Sequence, residues 1–467
     1  MKTTQTTQHI LFFIFLTTSI SCSKFVDVGI PTNKLTTDVT FSSDANATSA
    51  VVGIYSQFSS STSLCAGGVT VYTGLAADEL QYTFNSSDIK EFETNSIATT
   101  NPTVQTNFWQ PAYQYIYQAN ACIEGISASH TLSPSVKNQL LGESKVIRSL
   151  LYFNLIQLFG DVPLVTGTDY HTSANLPRTA TNQIYHLIIE DLTSAKQQLK
   201  EDYPSDNPVR PNLFTASALL ARVYLYMGNW AAAEAEANAV IESKKYSLVT
   251  DLNKVFLMNS SEAIWQIMPY GNTINTLEGN NFVPFSPKGT PAYLITDRLW
   301  QAFETEDPRR DSWTSTRTLN GKTYSFPFKY KVPARPNNTI SEYYTMFRLA
   351  EQYLIRSEAR IRQGKISDGI TDLNTIRSRA RGTNSEILQN RPTNISHEQA
   401  LAYLQHERRI ELFAEWGHRW YDLKRNKLAI ATLKPIKAQW NDTDTLFPIP
   451  RGEMILNPQL TQNNGYN

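Results

Sequence analysis

Residues 212–243 read NLFTASALLARVYLYMGNWAAAEAEANAVIES, and the fold is decided here. Ala216, Leu220, Val223, Tyr224 and Met227 recur at helical spacing and make one apolar stripe. Gly228 supplies the left-handed conformation that ends a helix. Residues 231–240 are almost pure helix former, and their alanines let two backbones approach closely. The stretch therefore predicts two antiparallel helices joined by Gly228-Asn229-Trp230. Such a pair cannot bury its own apolar face, so neighbouring helix pairs must stack on it.

Those neighbours are legible on both sides. Toward the N-terminus, residues 182–199 are periodic through Ile184, Leu187, Ile188, Leu192 and Ala195. A long helix is predicted over 136–159, stopped by Gly160 and Pro163. Another is predicted over 106–126, with Trp109, Tyr113, Ile116 and Ala119 on one stripe, and another over 45–58. Toward the C-terminus, a helix is predicted over 342–363 with Phe347, Ala350, Leu354 and Ile361 inward. Gly364 breaks it, and Ile370, Leu373 and Ile376 carry its partner. Ser396 and Gln399 make a capping box, with Ile395 stapled to Ala400, opening a helix that runs to about Trp416. Two stretches lose the period: 65–96 and 246–341, the second holding strand-like runs such as 263–267. Loops this long in a compact protein are usually functional. Leu220, Ala221, Tyr224, Gly228, Trp230 and Ala233 also resemble the tetratricopeptide pattern. The expected fold class is mainly α: a tetratricopeptide-like helical hairpin scaffold with long irregular loops and short strands.

Bulk properties narrow the function. Lys+Arg 42 balances Asp+Glu 42, so no global field draws in nucleic acid. In residues 1–21, Lys2 is the only formal charge, and residues 10–16 are an apolar core too short to span a bilayer. That is a secretory signal. Cys22 directly after it predicts lipidation and a membrane anchor, although Ser19 stands where lipoprotein signals prefer Leu. Residues 22–44 then read as an extended tether, and 45–467 as one domain. Cys65 and Cys122 form no disulfide framework, and no paired Cys or His spacing suggests zinc.

Several blocks together resemble one family, the SusD/RagB nutrient-binding lipoproteins of the Bacteroidetes outer membrane. Phe25-Val26-Asp27-Val28 with Pro31 is similar to the family's start after its lipidated cysteine, and Ala77-Asp78-Glu79 to a short acidic motif. Glu143, Arg148, Tyr152 and Phe153, followed by LFGDVPLV at 158–165, resemble its most recognisable helix end. Asp307-Pro308-Arg309-Arg310, RLAE at 348–351, Ser357-Glu358-Ala359, Asn374, Arg377 and Arg379 continue the series. RRIELFAE at 408–415, with Gly417, Arg419-Trp420 and Asp422-Leu423, resembles the C-terminal signature. FPIP at 447–450, Glu453, Asn457-Pro458 and QNNGY at 462–466 close it. The resemblance implies a surface protein that captures glycan fragments, sometimes peptides, and acts as a lid on a SusC-like TonB-dependent transporter. It implies binding, with no catalytic residue, cofactor or metal.

The residues agree with binding. Glu351 and Glu358 lie on one helix with backbones roughly 10 Å apart, too far for a retaining glycosidase pair. Pairing with Arg408 and Arg409 is the better expectation, since unpaired buried carboxylates are costly. His406-Glu407 lacks the second histidine of a zinc-protease motif. Candidate ligand-binding residues sit in the two irregular stretches: Tyr72, Asp78, Glu79 and Tyr82 in the first, Tyr270, Asn272 and Trp313 in the second. An aromatic face covers a sugar's apolar side while Asp or Asn bonds its hydroxyls. Each could instead serve loop packing, and the match of Asp78 and Glu79 to a family motif favours a structural role for them. Two rival readings are a periplasmic tetratricopeptide scaffold for proteins and a glycan-cleaving enzyme. Cys22 and the long irregular insert argue against the scaffold.

Overall fold

The computed structural model describes residues 37–59, 63–271, 274–335 and 339–466. The expected export segment at 1–21, Cys22 and Asn272 lie outside the described residues. The central hairpin forms as helices Leu213–Met227 and Trp230–Glu242. Asn212 and Thr215 make a reciprocal capping box at its start, and Gly228 turns the corner at φ +74°. Ala221, Ala233 and Ala237 pack with Ile355 and Ala359 of the helix Leu349–Arg362. The small side chains thus let a third helix close on the pair, although the whole irregular insert intervenes in sequence.

The stack continues both ways. Thr181–Gln198, Pro134–Phe159, Gln110–Ala128 and Asp44–Phe58 pack in succession on one side. Leu349–Arg362, Ile366–Arg381 and His397–Glu411 follow on the other. Among the described residues no helix is long and apolar enough to cross a membrane.

Three expectations need correction. The helix expected over 342–363 is a strand followed by a helix. Strand Tyr344–Arg348 (β6) pairs antiparallel with Ala263–Ile267 (β2), with Trp265 opposite Phe347, and both strands are wholly buried. A short apolar run buried on both faces carries no period that separates strand from helix. The stretch 65–96 is ordered too. It holds the helix Gly68–Ala76, buried on every side and therefore without an amphipathic stripe, then strand Leu80–Tyr82 (β1) and helix Ser87–Thr94. Finally, His397–Glu411 has its capping box at Ser396 and Gln399 but stops short of Trp416. Ala414 and Trp416 take positive φ, +49° and +47°, which no helix accommodates.

The remaining strands are Tyr293–Ile295 (β3), Thr314–Leu319 (β4) and Lys322–Pro327 (β5); the last two form a hairpin.

Candidate functional site

The acidic motif Ala77-Asp78-Glu79 works as a clamp. Asp78 accepts from Arg409 Nη2 at 2.8 Å and from Arg419 Nε at 2.7 Å. Burial pushes its carboxyl up, yet the two arginines outweigh burial and hold it below the usual range. Glu79 accepts the backbone N–H of Ala414 at 3.4 Å, within the left-handed turn 414–417. Burial and the neighbouring Asp78 push the Glu79 carboxyl up to about 7. Both side chains are buried and fix the C-terminal signature against the N-terminal half, and Asp78 also lines the cleft described below.

Trp313 is likewise interior. It is fully buried, and its indole N–H donates to the Leu252 carbonyl at 2.9 Å. Lys329, Arg348 and Arg379 lie 4.6, 5.8 and 5.5 Å from its ring centre. These cations meet Glu262, Glu411 and Glu415. Arg309 joins through Asp307, Glu407 and Glu411. Burial raises the Glu411 carboxyl, but Arg379, Arg348 and Arg309 bring it far below the usual range. The expectation that Trp313 touches ligand is therefore corrected: it is a wall beneath buried cations.

The carboxylates weighed for hydrolysis are paired, though with other partners than expected. Glu351 takes Arg222 at 2.7 Å, and Glu358 takes Arg425 at 2.6 Å. Arg408 binds Asp422 and Arg409 binds Asp78. The short helix His418–Arg425 folds back and brings Arg425 to Glu358, which spacing along one helix cannot reveal.

The two irregular stretches meet at one ladder. β1 pairs antiparallel with β3, placing Tyr82 opposite Tyr293 and Leu80 opposite Ile295. The Tyr82 ring lies 5.3 Å from Tyr293 and 5.9 Å, edge to face, from Phe84. Phe84 is 49% exposed, Tyr82 is half-buried and Tyr293 lies beneath them. Lys90 donates to the Tyr82 carbonyl at 2.6 Å and to Glu93 at 2.7 Å, and Glu93 accepts the Tyr82 N–H at 3.2 Å. These bonds hold the strand edge, so half-buried Tyr82 and exposed Phe84 stand on a fixed frame. Beside them opens a cleft of about 420 Å³ lined by Gln81, Glu93, Thr94, Asp297, Arg298 and Gln439. Lys437 closes its floor, donating to the Leu75 and Glu93 carbonyls, and burial brings its ammonium down to about 7. An apolar ledge of angled rings beside amides, a hydroxyl and charges suits a ligand with both apolar and polar faces.

Tyr82 thus belongs to the ledge. Tyr270 is 68% exposed on the loop after β2. Tyr72 is buried, packing on Phe92 at 4.8 Å and Phe108 at 5.6 Å, which corrects its expected ligand contact. Sequence reasoning missed Phe84, Tyr293 and Lys90. The alternation Gln81-Tyr82-Thr83-Phe84 was the available signal for the first; nothing local signals its pairing with Tyr293.

Two sequence profiles match the chain. One, described as starch-binding and associating with the outer membrane, covers residues 24–225; the other, described as the SusD family, covers 263–466. SusD-like protein P25 of Formosa agariphila is 23% identical over 98% of this chain and 99% of its own length. A SusD homolog from Bacteroides thetaiotaomicron superposes with a TM-score of 0.80 at 21% identity, covering 92% of this chain and 98% of its own. A laminarin-binding SusD-like protein gives 0.76 at 23%, covering 90% and 99%.

Proposed function

Because the chain belongs to the SusD/RagB family, we propose that it captures glycan oligomers on the ledge of Tyr82, Phe84 and Tyr293 and delivers them to an outer-membrane transporter. The observation that carries this reading is the framed ring pair, half-buried Tyr82 and exposed Phe84, beside a polar cleft. Phe84 and Tyr82 cover the apolar face of a sugar, and Gln81, Asp297, Arg298 and Gln439 reach its hydroxyls. The family's outer-membrane association and the laminarin-binding relative support a glycan as ligand. Carboxylates held by arginines favour binding over hydrolysis. In this reading Cys22 carries the lipid, the chain faces outward, and a SusC-like TonB-dependent barrel is the partner on which it closes. Tyr270 is kept as an outlying contact. Ligand favours the closed state only as far as it binds that state better than the open one.

Calorimetry on the protein lacking residues 1–22, against a panel of glycans and peptides, tests the site. Phe84→Ala should weaken glycan capture about tenfold, as for one lost ring contact of ~1.4 kcal/mol, with an unchanged melting temperature. Full affinity in that variant places the site elsewhere.

A further inference from the structure

The turn that feeds β3 adds charge to the ledge. Neither 279–296 nor 314–335 contains any Asp or Glu, yet they carry Lys288, Arg317, Lys322, Lys329, Lys331 and Arg335. Lys329 is spent on Glu415, and Lys331 donates to the Ser312 carbonyl with Glu342 nearby. Lys288, Arg317, Lys322 and Arg335 form no ion pair with any described carboxylate. In a chain whose total charges balance, this is a local excess of positive charge.

One of these cations stands over an exposed ring, and two more lie at the same turn. Phe285 is 62% exposed. The Arg335 guanidinium lies 5.8 Å from its centre and donates to its carbonyl at 3.3 Å. Arg317 reaches across from β4 and donates to the Ser286 and Gly289 carbonyls at 2.7 and 2.8 Å. Lys288 stands exposed between them in sequence. Carbonyl partners orient a guanidinium without neutralising it, so these groups repel one another until an anion arrives. The turn is joined to the ledge: Phe282 packs on Tyr293 at 6.1 Å, and Val283, Leu294 and Phe326 share a small core with the hairpin.

We infer that the ligand of the ledge is an anionic glycan, whose carboxylate or sulfate groups meet Lys288, Arg317 and Arg335 around Phe285 while a neighbouring sugar stacks on Tyr82 and Phe84. This rests on the glycan reading above. Arg is suited to such groups, since its fork engages two oxygens of a carboxylate or of a sulfate at once.

The test is calorimetry with three probes of equal length: an oligogalacturonate, a sulfated galactan oligosaccharide and a neutral β-1,3-glucan. Each is titrated at low and high salt into the unmodified protein, Lys288→Glu and Arg335→Gln; both side chains are exposed, and melting temperatures confirm that the variants fold. At least one anionic probe should bind about tenfold more tightly than the glucan, lose that margin in high salt, and lose it in each variant. Glucan binding as tight as both anionic probes, or an anionic affinity indifferent to both variants, overturns the inference and leaves the glycan reading standing. If no probe of either kind binds, the glycan reading falls and the inference with it.

Discussion

Glu278 is a buried carboxyl that meets no cation among the described residues. The Thr70 hydroxyl donates to it at 3.3 Å, and the Tyr344 hydroxyl also interacts with it. Burial pushes the group from 4.5 up to about 7. A raised acid holds its proton more tightly in the folded chain than in the unfolded one. Its contribution is therefore most favourable below about pH 4.5 and declines as pH rises through about 7. Glu278→Gln removes the ionisation and should stabilise the protein by about 1–3 kcal/mol at pH 8, with little effect near pH 4.5. Denaturation curves at the two pH values check this, and an equal shift at both sinks it. The same scale separates the aromatic residues. Composition and spacing treat Trp313, Tyr72 and Phe84 alike as rings in irregular stretches. Only the structure shows that the first two are walled in and the third stands out. A ring's exposure depends on what folds over it, and in Trp313 those covering residues come from 329, 348 and 379.

At the scale of elements, two left-handed glycines differ in what surrounds them. Gly228 has φ +74°, and an added Cβ would meet the Trp230 ring at an ordinary 3.5 Å. Gly417 has φ +70°, and its Cβ would fall 2.6 Å from the Thr73 hydroxyl. Gly228→Ala should cost about 1 kcal/mol, the strain of the backbone alone. Gly417→Ala adds a clash to that strain and should be distinctly more destabilising; thermal melts of both variants rank them. Elements built on periodicity and caps were legible, as the central hairpin and the Ser396 capping box attest. The β4–β5 hairpin also has a local signature, Asn320-Gly321, with both residues at positive φ. β6 and the helix Gly68–Ala76 were hidden because full burial erases the contrast between faces on which pattern reading depends.

At the scale of the molecule, the buried charges around Trp313 tie the irregular insert to the helical stack. Arg348 alone joins Glu262, Glu411 and Glu415. Arg348→Met leaves those carboxylates short of a partner and should cost about 3–5 kcal/mol. The intact protein should unfold in one calorimetric transition, since the insert has no boundary across which to melt alone; two resolved transitions would refute that coupling. None of this long-range order was visible beforehand. Spacing placed the carboxylates on helices and predicted that arginines would meet them, but partner choice is set by how distant elements fold back.

The β1–β3 ladder has a consequence for quality control. Leu80 faces Ile295 across most of the chain's middle, so the ledge exists only after the entire intervening polypeptide has found its place. Closing so long a loop is a late and entropically expensive event. A molecule that holds sugar is therefore a molecule that has finished folding, and sugar in turn adds RT ln(1 + [L]/Kd) to the stability of that finished state. Under the function proposed above, cargo and folding competence become a single readout: the fraction of chains retained on a glycan column counts the native ones.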